Sequence, residues 1–284
     1  MISVLSRLVL ACALLPWLWG AAESEAVSFP EFGTAIPGHP NVTYLDLAKM
    51  VVPDLAAGDD GFYRGSAPIK VRHIVGGEEG GSAPDTVSLA NAAVLPIRAG
   101  GKDRLTMLFD LGQAEDSAEG LAILALYDLS EKPKLLDAVD VGTDKNSYFR
   151  EPAKLALDPG DDALITMSMH FNSNQGYVST LLILVRNDRF EPIDRIDTFD
   201  ENVCAYKRTQ DLAFRTIDGD QPYAAIQVTA TDLTAPSGES CEEAAPEAAS
   251  RDISVTYRWD KSKSRYEKDS DAFEKLSAEN AKRF

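Results

Sequence analysis

The distribution of apolar and polar positions predicts a protein built almost entirely of β-strands. From about Ala92 onward, apolar residues mostly recur at every second position, the spacing that places them on one face of a strand. Segments 105–111, 163–170 and 253–260 show this alternation most clearly. Helical spacing is nearly absent, and clusters of Asp, Asn, Gly, Ser, Lys and Pro separate the runs as turns do. The pattern predicts an all-β fold of antiparallel meander sheets.

Two runs depart from this alternation. Segments 121–127 and 178–185 are apolar at nearly every position, as expected for central strands covered on both faces. A weak internal repeat relates Asp137–Asp140 to Asp194–Asp197, since each reads Asp-x-Val/Ile-Asp. Repeated meanders favour a propeller-like arrangement, whereas an open curved sheet or a two-sheet sandwich accounts for the same strands. These alternatives stay open.

The strands are preceded by a short N-terminal arm over residues 23–68, which Pro and Gly interrupt repeatedly. One helix is predicted within the arm, from Tyr44 to Val52. Thr43 or Asn41 would cap its first turn, because both side chains accept hydrogen bonds from free helical N–H groups.

The β domain is predicted over residues 69–268. Within it, residues 232–250 are acidic, small and rich in turn-forming residues, which predicts a long exposed loop. Residues 269–284 predict a C-terminal helix that is capped by Ser270 and packs on the strands.

The chain opens with a pattern typical of a secretory signal peptide over residues 1–22. Arg7 precedes an apolar run from Leu8 to Trp19, and small residues follow it. The run is shorter than the roughly 20 residues that a membrane-spanning helix needs. Cys12 lies inside the run rather than at its end, which favours an ordinary signal residue over a lipid-attachment site. We therefore predict a periplasmic or secreted protein without a membrane span.

Charge and cysteine content refine this interpretation. The chain carries 45 acidic and 28 basic residues, a net charge of −17. That balance argues against nucleic acid as a partner, because the phosphate backbone is also negative. Outside the signal peptide only Cys204 and Cys241 remain, and an even pair in an exported protein predicts a disulfide. Their spacing is not that of a redox motif, so the predicted bond is structural.

The most suggestive polar segment follows one of the alternating strands. His170 lies on the polar side of that strand, and Asn172, Asn174 and Gln175 follow in the next turn, with Tyr177 just beyond. A histidine beside several amides at a loop rim is suited to holding a polar ligand such as a sugar or a peptide group. Ordinary turn chemistry explains the same residues, since Asn and Gly tolerate left-handed backbone angles.

No catalytic, cofactor or metal motif stands out in the sequence. The common hydrolase signatures are missing, and the adjacent acids Asp161 and Asp162 lack the ligand spacing of an EF-hand calcium loop. They are interpreted as solvated turn carboxylates.

We therefore expect a non-enzymatic binding or interaction module of the cell envelope, with an envelope protein or a small polar ligand as its partner. The alternative is a carboxylate-dependent hydrolase that acts on envelope polymers.

Overall fold

The computed structural model describes residues 26–76, 83–115, 117–217, 222–238, 241–242 and 244–283. The strands of the N-terminal half are β1 (Ala35–Ile36), β2 (His39–Thr43), β3 (Ala56–Ala57), β4 (Tyr63–Gly65), β5 (Arg72–His73), β6 (Val87–Leu89), β7 (Ala93–Ala99), β8 (Lys102–Asp110), β9 (Ala122–Asp128) and β10 (Lys134–Asp140). The later strands are β11 (Asn146–Asp158), β12 (Asp161–Asn172), β13 (Gln175–Arg186), β14 (Arg189–Asn202), β15 (Tyr206–Ile217), β16 (Ala225–Pro236), β17 (Ala249–Asp260) and β18 (Arg265–Lys268). The helices are α1 (Tyr44–Ala48), α2 (Ala272–Asn280) and a single 3-10 turn (Ala281–Arg283).

The first large sheet has five strands in the order β5-β10-β9-β8-β7. Only the short β5–β10 pair is parallel; the other pairs are antiparallel. Its central strand β9 is buried from Ala122 to Tyr127, which confirms that this apolar run is a strand covered on both faces. The N-terminal segments and α1 cover one of these faces through a core around Leu47, Phe109 and Tyr127.

The second large sheet has eight strands, β11 to β18, arranged in chain order and all antiparallel. Strands β14 and β15 pair only beside the turn that joins them, through Glu201 with Arg208 and Asn202 with Lys207. Their other neighbours pair along almost the whole strand. The halves β11–β14 and β15–β18 therefore separate beyond this turn.

Apolar side chains fill the space on both sides of β11–β14. Alternate residues of a strand point to opposite faces, and Leu164 and Ile183 pack with residues of the five-stranded sheet. Ile165 and Leu182 face the other way and pack with β15–β18 and with Leu276 of α2. Each such side chain contributes about 1.5–3 kcal/mol when fully buried. The all-β class, the antiparallel pairing and the C-terminal helix are confirmed; the propeller-like and sandwich arrangements stay predictions.

The N-terminal helix is confirmed at its start and is shorter than predicted at its end. The Thr43 hydroxyl accepts a hydrogen bond from the Asp46 N–H at 3.2 Å, and the Asp46 carboxylate accepts one from the Thr43 N–H at 2.7 Å. This reciprocal pair is a capping box. The helix ends at Ala48 rather than Val52, because the chain tightens into turns in which the Met50 N–H donates to the Leu47 carbonyl.

Two predictions about the C-terminal region were wrong. Ser270 does not cap α2: Asp271 occupies the cap position without a side-chain capping bond, and its carboxylate pairs with Lys275 at 2.7 Å. The predicted loop 232–250 is shorter, because β16 runs to Pro236 and β17 begins at Ala249. Small polar residues pair there through their backbones, which needs no apolar side chains.

Asp161 and Asp162 are not merely solvated turn carboxylates. Asp162 is buried and accepts a hydrogen bond from the Arg98 N–H at 2.9 Å, while Asp161 accepts one from the Gly100 N–H at 2.6 Å. Both donors belong to the edge strand β7 or to the residue that follows it. The two carboxylates therefore join the sheets and satisfy an edge that would otherwise present free N–H groups.

Several predictions fall outside the described residues. The predicted signal peptide over residues 1–22 is among them, and so is Phe284 at the end of the predicted C-terminal helix. Among the residues that are described, no helix is long and apolar enough to cross a membrane.

Candidate functional site

The sequence-predicted polar cluster lies at the hairpin between β12 and β13. His170 is directly opposite Tyr177 across the hairpin, and Tyr177 is opposite Phe199 on β14. The His170 and Tyr177 rings stack with centroids 4.5 Å apart and planes 10° apart, and the Tyr177 and Phe199 centroids are 5.2 Å apart. The pairing register thus lines up three rings on the face toward the five-stranded sheet.

Asp144 completes this cluster, and sequence reasoning did not find it. Its Oδ2 lies 2.6 Å from the Nδ1 of His170, whose side chain is 25 % exposed. Asp144 lies in the loop that joins β10 of the five-stranded sheet to β11 of the eight-stranded sheet. The pairing of Asn146 with Met169 at the start of β11 places the preceding Asp144 beside the end of β12, where His170 lies. The carboxylate and the stacked Tyr177 ring together fix the plane of the imidazole.

The amides of the cluster are partly used by the hairpin itself. Ser173 takes a left-handed backbone conformation with φ 42°, and the Asn174 carbonyl accepts a hydrogen bond from the Asn202 N–H at 2.7 Å. The Gln175 Oε1 accepts one from the Tyr177 hydroxyl at 3.2 Å. Asn172 is exposed. The structure brings His170, Gln175 and Tyr177 together, whereas Asn172 and Asn174 lie at the tip.

Among the residues that the structure describes, three carboxylic acids away from this cluster have raised pKa values because they are buried, namely Asp110, Asp161 and Asp200. Each also accepts at least one backbone N–H, from Gly112 and Ser147, from Gly100 and from Gln210 respectively. These contacts hold loops and strand edges. Within the described part of the chain, no group of three or more His, Cys, Asp or Glu residues is arranged to hold a metal ion.

The disulfide predicted from the sequence is present. Cys204 and Cys241 are bonded, with their Cα atoms 6.0 Å apart. Cys204 lies in the turn between β14 and β15, and Cys241 lies beyond the end of β16. The Ser237 N–H donates to the Ala205 carbonyl at 2.9 Å and its hydroxyl donates to the Cys204 carbonyl, so both strands of this hairpin are joined at its open end.

A large cavity lies between the N-terminal segment and the five-stranded sheet. Its volume is about 1000 Å³, at the upper end of the range for small-molecule sites. The lining residues come from three parts of the chain: Ala26, Ser28, Ile36, Pro37, His39 and Tyr44; Val94, Pro96 and Gly101–Leu105; and Asp128, Leu129 and Ser130. Strand β8 runs from Lys102 at this cavity to Asp110, whose carboxylate binds Ser147 near the His170 hairpin. The cavity and that hairpin therefore lie at opposite ends of the strands.

The floor of the cavity is apolar and buried. Ile36, Tyr44, Val94 and Leu105 are each less than 9 % exposed although they line it. Arg104 is also buried. Its guanidinium Nη1 lies 3.1 Å from Asp128, and its Nη2 lies 3.0 Å from Asp188 in the turn between β13 and β14. This arginine connects the two large sheets, and its charge is neutralised within the protein.

Three of the polar side chains that line the cavity form no hydrogen bond or salt bridge with the described residues, although the charge of Lys102 also acts on Asp128. Among the described residues, none forms a hydrogen bond or ion pair with the hydroxyl of Tyr44, the imidazole of His39 or the ammonium group of Lys102. The Tyr44 ring is 6 % exposed, but its hydroxyl is not among the enclosed unpaired polar atoms, so it opens to the cavity. Burial raises the pKa of this phenol, which is therefore the protonated donor at neutral pH.

Comparison of the chain with models of protein families, with curated proteins and with solved structures finds no match.

Proposed function

We propose that the protein is a non-enzymatic binding module of the cell envelope, and that its ligand occupies the cavity beside the five-stranded sheet. The observation that carries this proposal is the cavity itself. A concave, mostly apolar site with a few open polar groups is the usual form of a small-molecule site. Its buried floor of Ile36, Tyr44, Val94 and Leu105 gives a ligand apolar surface to cover.

A periplasmic or secreted location is part of the proposal. The signal-peptide pattern of residues 1–22 supports it. The disulfide between Cys204 and Cys241 agrees with it, since such bonds persist mainly in oxidising compartments.

A binding role is favoured over hydrolysis by the positions of the acids. The carboxylic acids whose burial raises their pKa, Asp110, Asp161 and Asp200, do not line the cavity. The cavity carboxylate Asp128 is held by Arg104 and accepts the Ser130 N–H at 2.9 Å. Among the described residues, no acid with a pKa raised by burial therefore lines the cavity, whereas a glycoside hydrolase needs a protonated carboxylic acid beside a second carboxylate.

The test is a thermal-shift screen of the chain from Glu23 onward against sugars, peptides, amphiphiles and cell-wall fragments. A ligand at about 100 times its dissociation constant adds roughly 2.7 kcal/mol of stability, which raises Tm by several degrees. The same ligand is tested on Ser28→Trp, which places an indole at the cavity rim. Ser88→Trp is the matched control, because Ser88 is an exposed strand residue that does not line the cavity.

We expect a Tm shift in the wild type and in Ser88→Trp that is reduced in Ser28→Trp. A ligand that shifts all three proteins equally would place binding elsewhere and contradict the proposal. Turnover of a glycan, ester or peptide reporter by the purified protein would contradict its non-enzymatic part.

A further inference from the structure

We infer that the cavity binds an amphiphile with an acidic head group, and that Lys102, Tyr44 and His39 hold this head. The inference rests on the proposed binding function and specifies its ligand class. It starts from the contrast between the satisfied charges around the cavity and the three polar side chains that are left open.

Two of the charged groups that line the cavity, Arg104 and Asp128, are paired with each other. Arg104 is bonded to Asp128 and Asp188. The Asp103 side chain is 94 % exposed at the rim and lies 4.0 Å from Arg98. Asp128 is therefore not an open acceptor for a cationic ligand, and Asp103 is exposed to solvent at the rim.

The open groups share one chemical property, which is that all three donate hydrogen bonds. An ammonium group has donors and no acceptor, and a phenol and an imidazole each carry one donor when neutral. A ligand group that satisfies all of them must be rich in acceptors. A carboxylate meets this requirement and forms a charge-assisted hydrogen bond with Lys102, which is stronger than a neutral one.

The remainder of the ligand must be apolar. Val94 and Leu105 belong to the same packed core as Tyr44 and Ile36, and all four are exposed to the cavity through a small part of their surface. An alkyl chain on this floor is removed from water, which stabilises the complex by about 0.8 kcal/mol per buried CH₂ group. The net charge of −17 repels a small anion, so an acidic head binds only with this apolar contribution.

The experiment compares three probes by isothermal titration calorimetry on the chain from Glu23 onward. Decanoate has the acidic head and the alkyl chain, decanol has the same chain with a neutral head, and acetate has the head alone. We expect decanoate to bind at least tenfold more tightly than decanol, and acetate not to bind measurably.

Variants then test which residues bind the acidic head group. Lys102→Gln is expected to weaken the binding of decanoate at least tenfold and to leave the binding of decanol unchanged. Tyr44→Phe, which keeps the aromatic ring, is expected to weaken the binding of decanoate as well. Lys261→Gln is the control, because Lys261 is exposed in the turn between β17 and β18, away from the cavity. The melting temperature of each variant checks that it is folded.

The outcomes separate this inference from the proposed function. Equal affinities for decanoate and decanol, or an unchanged affinity of Lys102→Gln for decanoate, would overturn the inference that the ligand has an acidic head group. If another compound class shifts Tm in the wild type and less in Ser28→Trp, while no amphiphile binds, the ligand class is wrong and the binding function stands. A ligand whose Tm shift Ser28→Trp leaves unchanged would overturn both.

Discussion

Removal of the disulfide is expected to lower the stability of the protein by several kilocalories per mole. Cys204 and Cys241 are separated by 37 residues, which comprise the whole β15–β16 hairpin. In the folded protein the strands of this hairpin are already paired from Tyr206 with Pro236 to Ile217 with Ala225. The bond therefore acts mainly on the unfolded chain, whose ends it keeps together.

The magnitude follows from the loop length. In the chain-entropy model, closing a loop of this size stabilises the folded state by about 4 kcal/mol at 25 °C. A chain of this length loses roughly 2–4 °C of Tm per kcal/mol, so the expected change is a Tm lower by roughly 8 °C or more. The eight-stranded sheet itself is expected to remain, because the backbone ladders between β15, β16 and β17 do not depend on the bond.

The assay is thermal unfolding of the wild type and of the double variant Cys204→Ser with Cys241→Ser. The wild type in the presence of a reductant is expected to approach the Tm of the double variant. The reductant is expected to leave the double variant unchanged, which controls for other effects of the reagent. A double variant that melts within a degree of the oxidised wild type would refute the loop-closure reasoning.

Two further predictions concern buried polar groups. The Tyr127 hydroxyl donates to the Leu47 carbonyl at 3.0 Å in the core, and the Met50 N–H donates to the same carbonyl. Tyr127→Phe removes one of these two hydrogen bonds and is therefore expected to lower the free energy of unfolding by about 0.5–1.5 kcal/mol in urea denaturation; an unchanged midpoint would contradict this. Burial raises the pKa of Asp232, but hydrogen bonds from Arg208 (2.6 Å) and Arg251 (3.0 Å) outweigh it, and the net pKa is lowered. The ionised Asp232 carboxylate contributes fully to the free energy of unfolding above its unfolded pKa of about 4, and this contribution is lost as pH falls through its lower pKa in the folded protein. Asp232→Asn is therefore expected to lower the free energy of unfolding by about 3–5 kcal/mol at pH 7. It is also expected to make the loss of stability at acid pH less steep than in the wild type. An equally steep loss would argue against the contribution of the Asp232–Arg208 pair.

The strands were predictable because their period is short and local. The alternation in 163–170 and the continuous apolar run in 121–127 each mark a strand that the structure contains. The alternation did not reveal that β12 is buried on both faces. The alternation places Leu164 on the polar face of the strand, yet in the structure it packs against the five-stranded sheet. Which second layer covers a strand depends on residues far away in the chain, and periodicity carries no information about them.

The same reason explains what was missed at the candidate sites. Asp144 reaches His170 only because β11 pairs with β12, and the register of that pairing cannot be read from the sequence. The cavity is lined by His39 from the N-terminal segment, Lys102 from a hairpin and Asp128 from another strand end. None of these residues forms a local motif. The disulfide was predictable, because the prediction needed only the count and the compartment of the cysteines.

The use of hydrogen-bonding groups distinguishes the two ends of the molecule. At the hairpin end, the His170 imidazole is bound to Asp144 and stacked on Tyr177, and the Gln175 amide is bound to Tyr177. These contacts connect strands and sheets to one another. At the cavity end the salt bridges of Arg104 serve that purpose, and the open donors of His39 and Lys102 have no such role. Polar groups that the fold does not use are the ones available to a ligand, which is why the cavity is the stronger candidate for a binding site.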